Sequence, residues 1–190
     1  MRLGVCVSGE GTNLRNLVQL GFEVVAVATN RPPCGAAAFA RERRIPLGEL
    51  PQKAFDSVEA RDAAMRDFFL SHGVELVVDA GYDRIHTPPF LDAFENRILN
   101  VHPSLLPEFA GGMDAIEQAL ASGATRTGAT VHIVTADLDA GPILLQEAVP
   151  ILERDTVETL RRRVHEAEHR ILPAGIRLME ARLAKRSAVG

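Results

Sequence analysis

Tryptophan is absent from this 190-residue chain, tyrosine occurs once, and aromatic residues make up only 5% of it. A platform of exposed rings for stacking bases is therefore not expected. Positive charge is not in excess either. The formal net charge is −4, whereas nucleic-acid backbones and anionic lipid surfaces select unbalanced basic surface. Lysine is nearly missing, with two residues against nineteen arginines, a bias that carries no functional reading. Cys6 and Cys34 are the whole cysteine complement. Two such residues make neither a metal framework nor the disulfide scaffold of a small secreted protein. Apolar runs are short, as at Val24 to Ala28, far below the ~20 residues that span a bilayer. Met1 to Val5 reaches a loop signal at Ser8-Gly9, which leaves no room for a secretory leader. A cytoplasmic globular protein is the expectation. At 46% apolar content, the chain is long enough to bury its own core without a staple.

What is present is alternation. Leu3–Val7 and Val24–Ala28 are continuous and rich in branched residues, as strands buried on both faces should be, and Leu76–Val78 and Ile98–Val101 look similar. Between them, Leu14, Leu17 and Val18, then Met65, Phe68 and Phe69, repeat at helical spacing. Strands separated by amphipathic helices imply βαβ units, hence an α/β fold with a mostly parallel central sheet flanked by helices. After Pro103 the pattern changes to a loop over Pro107–Gly112, a short helix over Ala115–Leu120, and two strands over Thr127–Thr135 and Ile143–Val149 that form a hairpin. Asp155 to Glu158 reads as a capping box with Asp155 as the cap of a long helix, which Pro173 should kink. One domain is expected over residues 1–184, with a disordered tail over 185–190.

Ser8-Gly9-Glu10-Gly11-Thr12-Asn13 joins the first strand to the first helix. Its glycines let backbone approach an anion, and a helix start offers unpaired N–H groups with partial positive charge. Leu14 stands where a dinucleotide fingerprint needs its third glycine, and no Gly-Lys-Ser/Thr is present. The turn suits a smaller phosphate ligand; a plain tight βα turn would look the same.

A second signal is Asn100-Val101-His102 at the end of a buried strand, followed by Pro103-Ser104-Leu105-Leu106-Pro107. Alternation puts Asn100 and His102 on one side, at the end of the sheet where open α/β folds bind ligands. An imidazole there exchanges protons near neutrality and an amide stabilises an oxyanion; a satisfied buried histidine is the alternative. The hairpin can return Asp139 beside His102, although an aspartate in a turn is common. His132 either lines the same site or faces solvent. Ser104 lacks the nucleophile elbow of a hydrolase, and His102, His132 and Asp139 lack zinc-ligand spacing, so no metal is expected.

Four stretches, Ser8 to Leu14, Ala80 to Ile85, Asn100 to Pro107 and Asp137 to Pro142, resemble in order the glycinamide ribonucleotide transformylases, a family of folate-dependent formyltransferases of purine synthesis. The resemblance covers residues 2–180 or so. It implies formyl transfer from 10-formyltetrahydrofolate to the amine of 5′-phosphoribosylglycinamide, in a formyltransferase-like fold with a Rossmann-type first half. It implies Asn100, His102 and Asp139 as the catalytic trio, Gly11, Thr12 and Asn13 as the phosphate site, and Glu168 as the ribose ligand. It further implies Asp83, Arg84, Ile85 and His86, with Asn100, as the folate contacts, made by backbone over residues 83–86. Small-molecule partners only are implied; a homodimer is compatible with the sequence, which does not fix the oligomeric state. A formyltetrahydrofolate hydrolase and a phosphate-binding module without catalysis are the rival readings.

Four departures from the family pattern bear on binding. Asp83 replaces an apolar residue, Val58 stands where an arginine often meets the folate tail, with Arg61 one turn away as its expected substitute, Gly111-Gly112-Met113-Asp114 replaces a histidine-bearing stretch, and Glu10 puts an acid beside the phosphate turn.

Overall fold

The computed structural model describes residues 1–112 and 114–187. The chain packs as two compact units, Met1–Leu99 and Asn100–Gly190.

In the first unit, β1 (Leu3–Val7), β2 (Val24–Thr29) and β4 (Leu76–Asp79) are apolar, branched and almost wholly buried. β1 lies between the other two and pairs with both in parallel. The edge strand β3 (Leu47–Glu49) pairs with β2; three residues with a central glycine leave no alternation by which the sequence could announce it. Helices α1 (Thr12–Gln19), α2 (Gly35–Glu42), α3 (Val58–Ser71) and the single turn α4 (Pro88–Leu91) make the connections. Leu14 and Leu17 are fully buried, as their spacing requires. Ser57 caps α3 by accepting the Ala60 N–H at 3.0 Å. Met65 and Phe69 turn inward, where Phe69, Phe90 and Phe94 pack with ring centroids 5.1–6.3 Å apart.

In the second unit, β5 (Ile98–His102) enters from the first, and α5 (Ala115–Ala121) precedes β6 (Arg126–Ile133) and β7 (Ile143–Pro150). The last two pair antiparallel, with a bulge between Val131 and His132. The long helix α6 (Val157–Ser187) continues on both sides of Pro173, and its Leu160, Val164, Ala167 and Ile171 are buried. Among the described residues the sheet has seven strands in the order β3-β2-β1-β4-β5-β6-β7 and is mostly parallel. No described helix is long and apolar enough to cross a membrane.

Two expectations are corrected. The cap of α6 is Thr156, not Asp155. Thr159 N–H donates to Thr156 Oγ1 at 3.2 Å and Thr156 N–H donates to Thr159 Oγ1 at 2.9 Å, a reciprocal box in which a hydroxyl stands where glutamate usually does. Asp155 lies one residue outside, where it accepts the Leu152 N–H and pairs with Arg163. The tail expected from Lys185 is helical to Ser187; residues 188–190 lie outside the described residues.

Candidate active site

The first turn has a single permitted shape. Gly11 caps α1 in the left-handed region at φ 73° and, being glycine, makes no side-chain cap bond to the helix. A Cβ on Gly11 would lie 2.6 Å from that of Ala36, so both φ and space demand glycine. Asn13 is buried. Glu10 is exposed, with its carboxylate against Gly35 at the start of α2.

The second unit assembles the polar cluster. β5 delivers Asn100 and His102, β6 delivers His132, and the β6–β7 connection delivers Asp139 at φ 51°. Asp139 Oδ2 lies 3.6 Å from His102 Nδ1 and its Oδ1 lies 3.6 Å from His132 Nε2. Both distances suit an ion pair and exceed a direct hydrogen bond. Asn100 Nδ2 donates to His132 Nε2 at 3.1 Å, and His132 Nδ1 donates to the Ile133 carbonyl at 3.2 Å. With the ring neutral these bonds leave Nε2 as an acceptor, whereas a protonated ring turns the same nitrogen into a donor toward Asp139. His132, left between two readings by the sequence, is 2% exposed and belongs to the cluster. Burial opposes charge on Asp139, but the His132 contact, the Gly111 N–H at 2.9 Å and the two imidazoles outweigh it and hold its carboxyl below the ordinary range.

The loop after β5 closes on the same residues. His102 Nε2 donates to the Phe109 carbonyl at 3.0 Å, so both ring nitrogens face protein acceptors. Gly111, in the stretch that departs from the family pattern, supplies the N–H on Asp139; Met113 lies outside the described residues. The buried Ser104 hydroxyl donates to the Glu108 carbonyl, so it is not presented as a nucleophile.

Comparison with known proteins decides the family. Residues 1–176 match the family described as Formyl transferase. The chain belongs to the formyl transferase family. It is 42% identical over 180 residues to the phosphoribosylglycinamide formyltransferase of Mycobacterium tuberculosis, covering 92% of this chain and 83% of that one. It is 40% identical to the trifunctional purine biosynthetic protein adenosine-3 of Bos taurus over 94% of this chain and 18% of that protein. The chain thus spans less than a fifth of the trifunctional relatives it matches. The crystal structure of glycinamide ribonucleotide transformylase 1 from Symbiobacterium toebii superposes with a TM-score of 0.90 at 46% identity, covering 94% of this chain and 87% of that one.

Against the formyl transferase pattern, the remaining predicted residues fall as follows. Glu168 is buried on α6. Arg84 and Ile85 are exposed, whereas the Asp83 and His86 side chains turn inward. Arg61 does not substitute for an arginine at Val58. It is 1% exposed and its guanidinium donates to Asp62 Oδ1 at 2.7 and 3.0 Å, so it cannot reach a ligand from within the core. One group escaped the sequence reading. Cys6 and Asp79 are register partners on β1 and β4, and His86 Nε2 donates to Asp79 at 2.9–3.0 Å. Burial, reinforced by Asp79, pushes the Cys6 thiol up, and His86 is sandwiched between the Tyr82 and Phe90 rings. Ligand-type atoms of these three lie within 4.8 Å of one another, making them the one described set of metal-ligating types this close, with His86 bonded to Asp79 and the Cys6 thiol donating to Met65 Sδ at 3.8 Å.

Proposed function

We propose that this formyl transferase moves the formyl group of 10-formyltetrahydrofolate onto the amine of 5′-phosphoribosylglycinamide, as a cytoplasmic enzyme acting on small molecules. The observation that carries the reading is the convergence of Asn100, His102 and Asp139 with His132. The family membership and the names of the relatives support it.

The chemistry assigns a role to each group. The amine nitrogen attacks the formyl carbon directly, a new C–N bond forms, and the carbonyl oxygen becomes an oxyanion. Asn100 has a second Nδ2–H beyond the one held by His132 and gives it to that oxyanion. His102 takes the part of general acid. As the bond from the formyl carbon to the folate nitrogen breaks, the electron pair stays on that nitrogen and His102 supplies its Nε2 proton, giving up the bond to the Phe109 carbonyl. Asp139, ionised at neutrality, balances the charged ring. The amine nitrogen, cationic once its new bond has formed, gives one proton back to His102, and the oxyanion re-forms the carbonyl, so the step balances. Turn residues Gly11, Thr12 and Asn13 receive the substrate phosphate on the N–H groups of α1, and Glu168 receives the ribose hydroxyls. The folate ring takes its hydrogen bonds from backbone over Asp83–His86, which the inward turn of the Asp83 and His86 side chains leaves compatible. Holding two substrates in register supplies much of the acceleration, and no covalent enzyme intermediate is required.

The test is tetrahydrofolate release from 10-formyltetrahydrofolate with and without phosphoribosylglycinamide. Release that depends on the ribonucleotide is expected. Equal release without it would mean a hydrolase, and none in either case would mean a binding module; either result sinks the assignment.

A further inference from the structure

We propose that the Asp83 carboxylate is a positioning group that ties the segment Asp83–His86 to the phosphate turn Ser8–Asn13, so that filling either substrate position tightens the other. The inference rests on the function proposed above for its two ligands, and its geometry lies wholly within the first unit.

Ser8, Asn30 and Asp83 each follow the end of a strand, and those strands, β1, β2 and β4, are neighbours paired in parallel. Carboxyl ends of adjacent parallel strands are where such sheets hold ligands. Here the three residues are knotted together. Asn30 Nδ2 donates to Asp83 Oδ1 at 2.7 Å, and the Ser8 hydroxyl lies 2.9 Å from the same oxygen and 2.7 Å from Asn30 Oδ1. The single hydroxyl proton thus faces two acceptors, of which the carboxylate draws it more strongly. The Asp83 N–H donates back to Ser8 Oγ at 3.0 Å, and the Ser8 N–H donates to the Gly81 carbonyl at 3.1 Å. Arg31 closes the knot as an ion pair on Asp83 Oδ2, and Arg84 Nε stands 3.6 Å from Oδ1.

The Asp83 side chain is 7% exposed. A carboxylate so enclosed is tolerable only while its bonds are made, which makes the knot an arrangement that holds or fails as a unit. Its two ends lead to different ligands. Ser8 is one residue from Gly9 and opens the turn whose shape Gly11 and Ala36 leave no slack to change. Asp83 opens the segment whose backbone takes the folate ring. A displacement at either end must therefore be carried to the other or break bonds to a buried charge. An apolar residue at this position would keep only the main-chain bond to Ser8 and none of those made by the carboxylate.

The experiment is calorimetric titration of the full chain with phosphoribosylglycinamide and with tetrahydrofolate, each alone and each with the other saturating. This pair binds without reacting. The parent chain should show mutual tightening of about fivefold or more, equal in both directions because coupling is reciprocal. In Asp83→Asn the factor should fall below about twofold, whatever the change in the single affinities. Arg31→Ala, which truncates a side chain 60% exposed, should lower it in the same direction and carries the test if Asp83→Asn does not fold. A merely structural role would lower the melting temperature or both single affinities and leave the factor alone; that result overturns the proposal. So does a parent chain that binds both ligands with no mutual tightening, which leaves the proposed function standing. A parent chain that binds neither ligand removes the function itself.

Discussion

Three glycines near the first helix differ in what a methyl group would meet, and Gly→Ala at each separates strain from crowding. Gly9 has no positive φ and nothing within 4 Å of a built Cβ. Gly21 has φ 79° but open space. It ends α1 in a Schellman arrangement, with Phe22 N–H bonded to the Leu17 carbonyl and Gly21 N–H to that of Val18. Gly11 has φ 73° and a Cβ position 2.6 Å from the Ala36 methyl. Left-handed backbone costs a residue with a Cβ about 1–2 kcal/mol. Overpacking a closed site adds about 1–3 kcal/mol. The expected losses are then within about 0.5 kcal/mol for Gly9→Ala, about 1–2 for Gly21→Ala, and about 2–5 for Gly11→Ala.

Denaturant unfolding of the three variants beside the parent measures this, and melting should move by about 2–4 °C per kcal/mol for a chain of this size. The order matters more than the values. A Gly11→Ala no less stable than Gly21→Ala would show that the turn yields without cost, and the argument for a single permitted shape would fall. Kinetics add an independent reading. If the turn holds phosphate, Gly11→Ala should raise KM for the ribonucleotide even below its melting temperature, whereas Gly21→Ala, at the far end of α1, should leave KM unchanged.

Further expectations concern the polar cluster and α6. His102→Ala should lower kcat by about 10²–10⁴ with little change in ribonucleotide KM, as loss of a general acid does; an unchanged kcat removes it from the mechanism. Asp139 titrates below its unfolded value, so its contribution to stability is present above about pH 4 and is lost as pH falls through its lowered folded value. The stability gap between the parent and Asp139→Asn should therefore narrow on acidification, and a gap constant from pH 6 to pH 2 would contradict the sign. Asp155 is held at about 2 chiefly by its bond to Arg163, so Asp155→Asn should likewise differ from the parent above about pH 4 and converge with it toward pH 2 in acid melts. Thr156→Ala should cost about 1 kcal/mol in unfolding experiments; an effect at Asp155 but none at Thr156 would restore the cap to Asp155.

Legibility in the sequence followed the range of the interaction. Buried parallel strands declare themselves by unbroken branched runs, and β1, β2, β4 and β5 lie where such runs stand, give or take one residue at their ends. The glycine turn and the Asn100-Val101-His102 strand end were equally local: one is a backbone requirement, the other a matter of alternation. His132 was ambiguous because a hairpin strand permits either face, and the bulge beside it shifts the alternation that would have decided. The α6 cap was misassigned by one residue because aspartate and threonine are both good caps. Hydrogen bonds, not residue type, separate them.

The register between strands is a different kind of unknown. Cys6 and Asp79 sit 73 positions apart and face each other only because β1 and β4 align Leu3 with Leu76. Ser8, Asn30 and Asp83 meet for the same reason, the first two one residue beyond the ends of their strands and Asp83 four beyond the end of β4. Asp83 read alone was a departure that put an acid in place of an apolar residue. With the register known, the same carboxylate has a serine, an asparagine and an arginine around it, and the acid is spent internally. Asp79, unusual at the end of an apolar strand, is answered in the same way by His86. A buried charge in a single sequence is therefore legible as a demand for partners, while the identity of those partners is set by how the strands align.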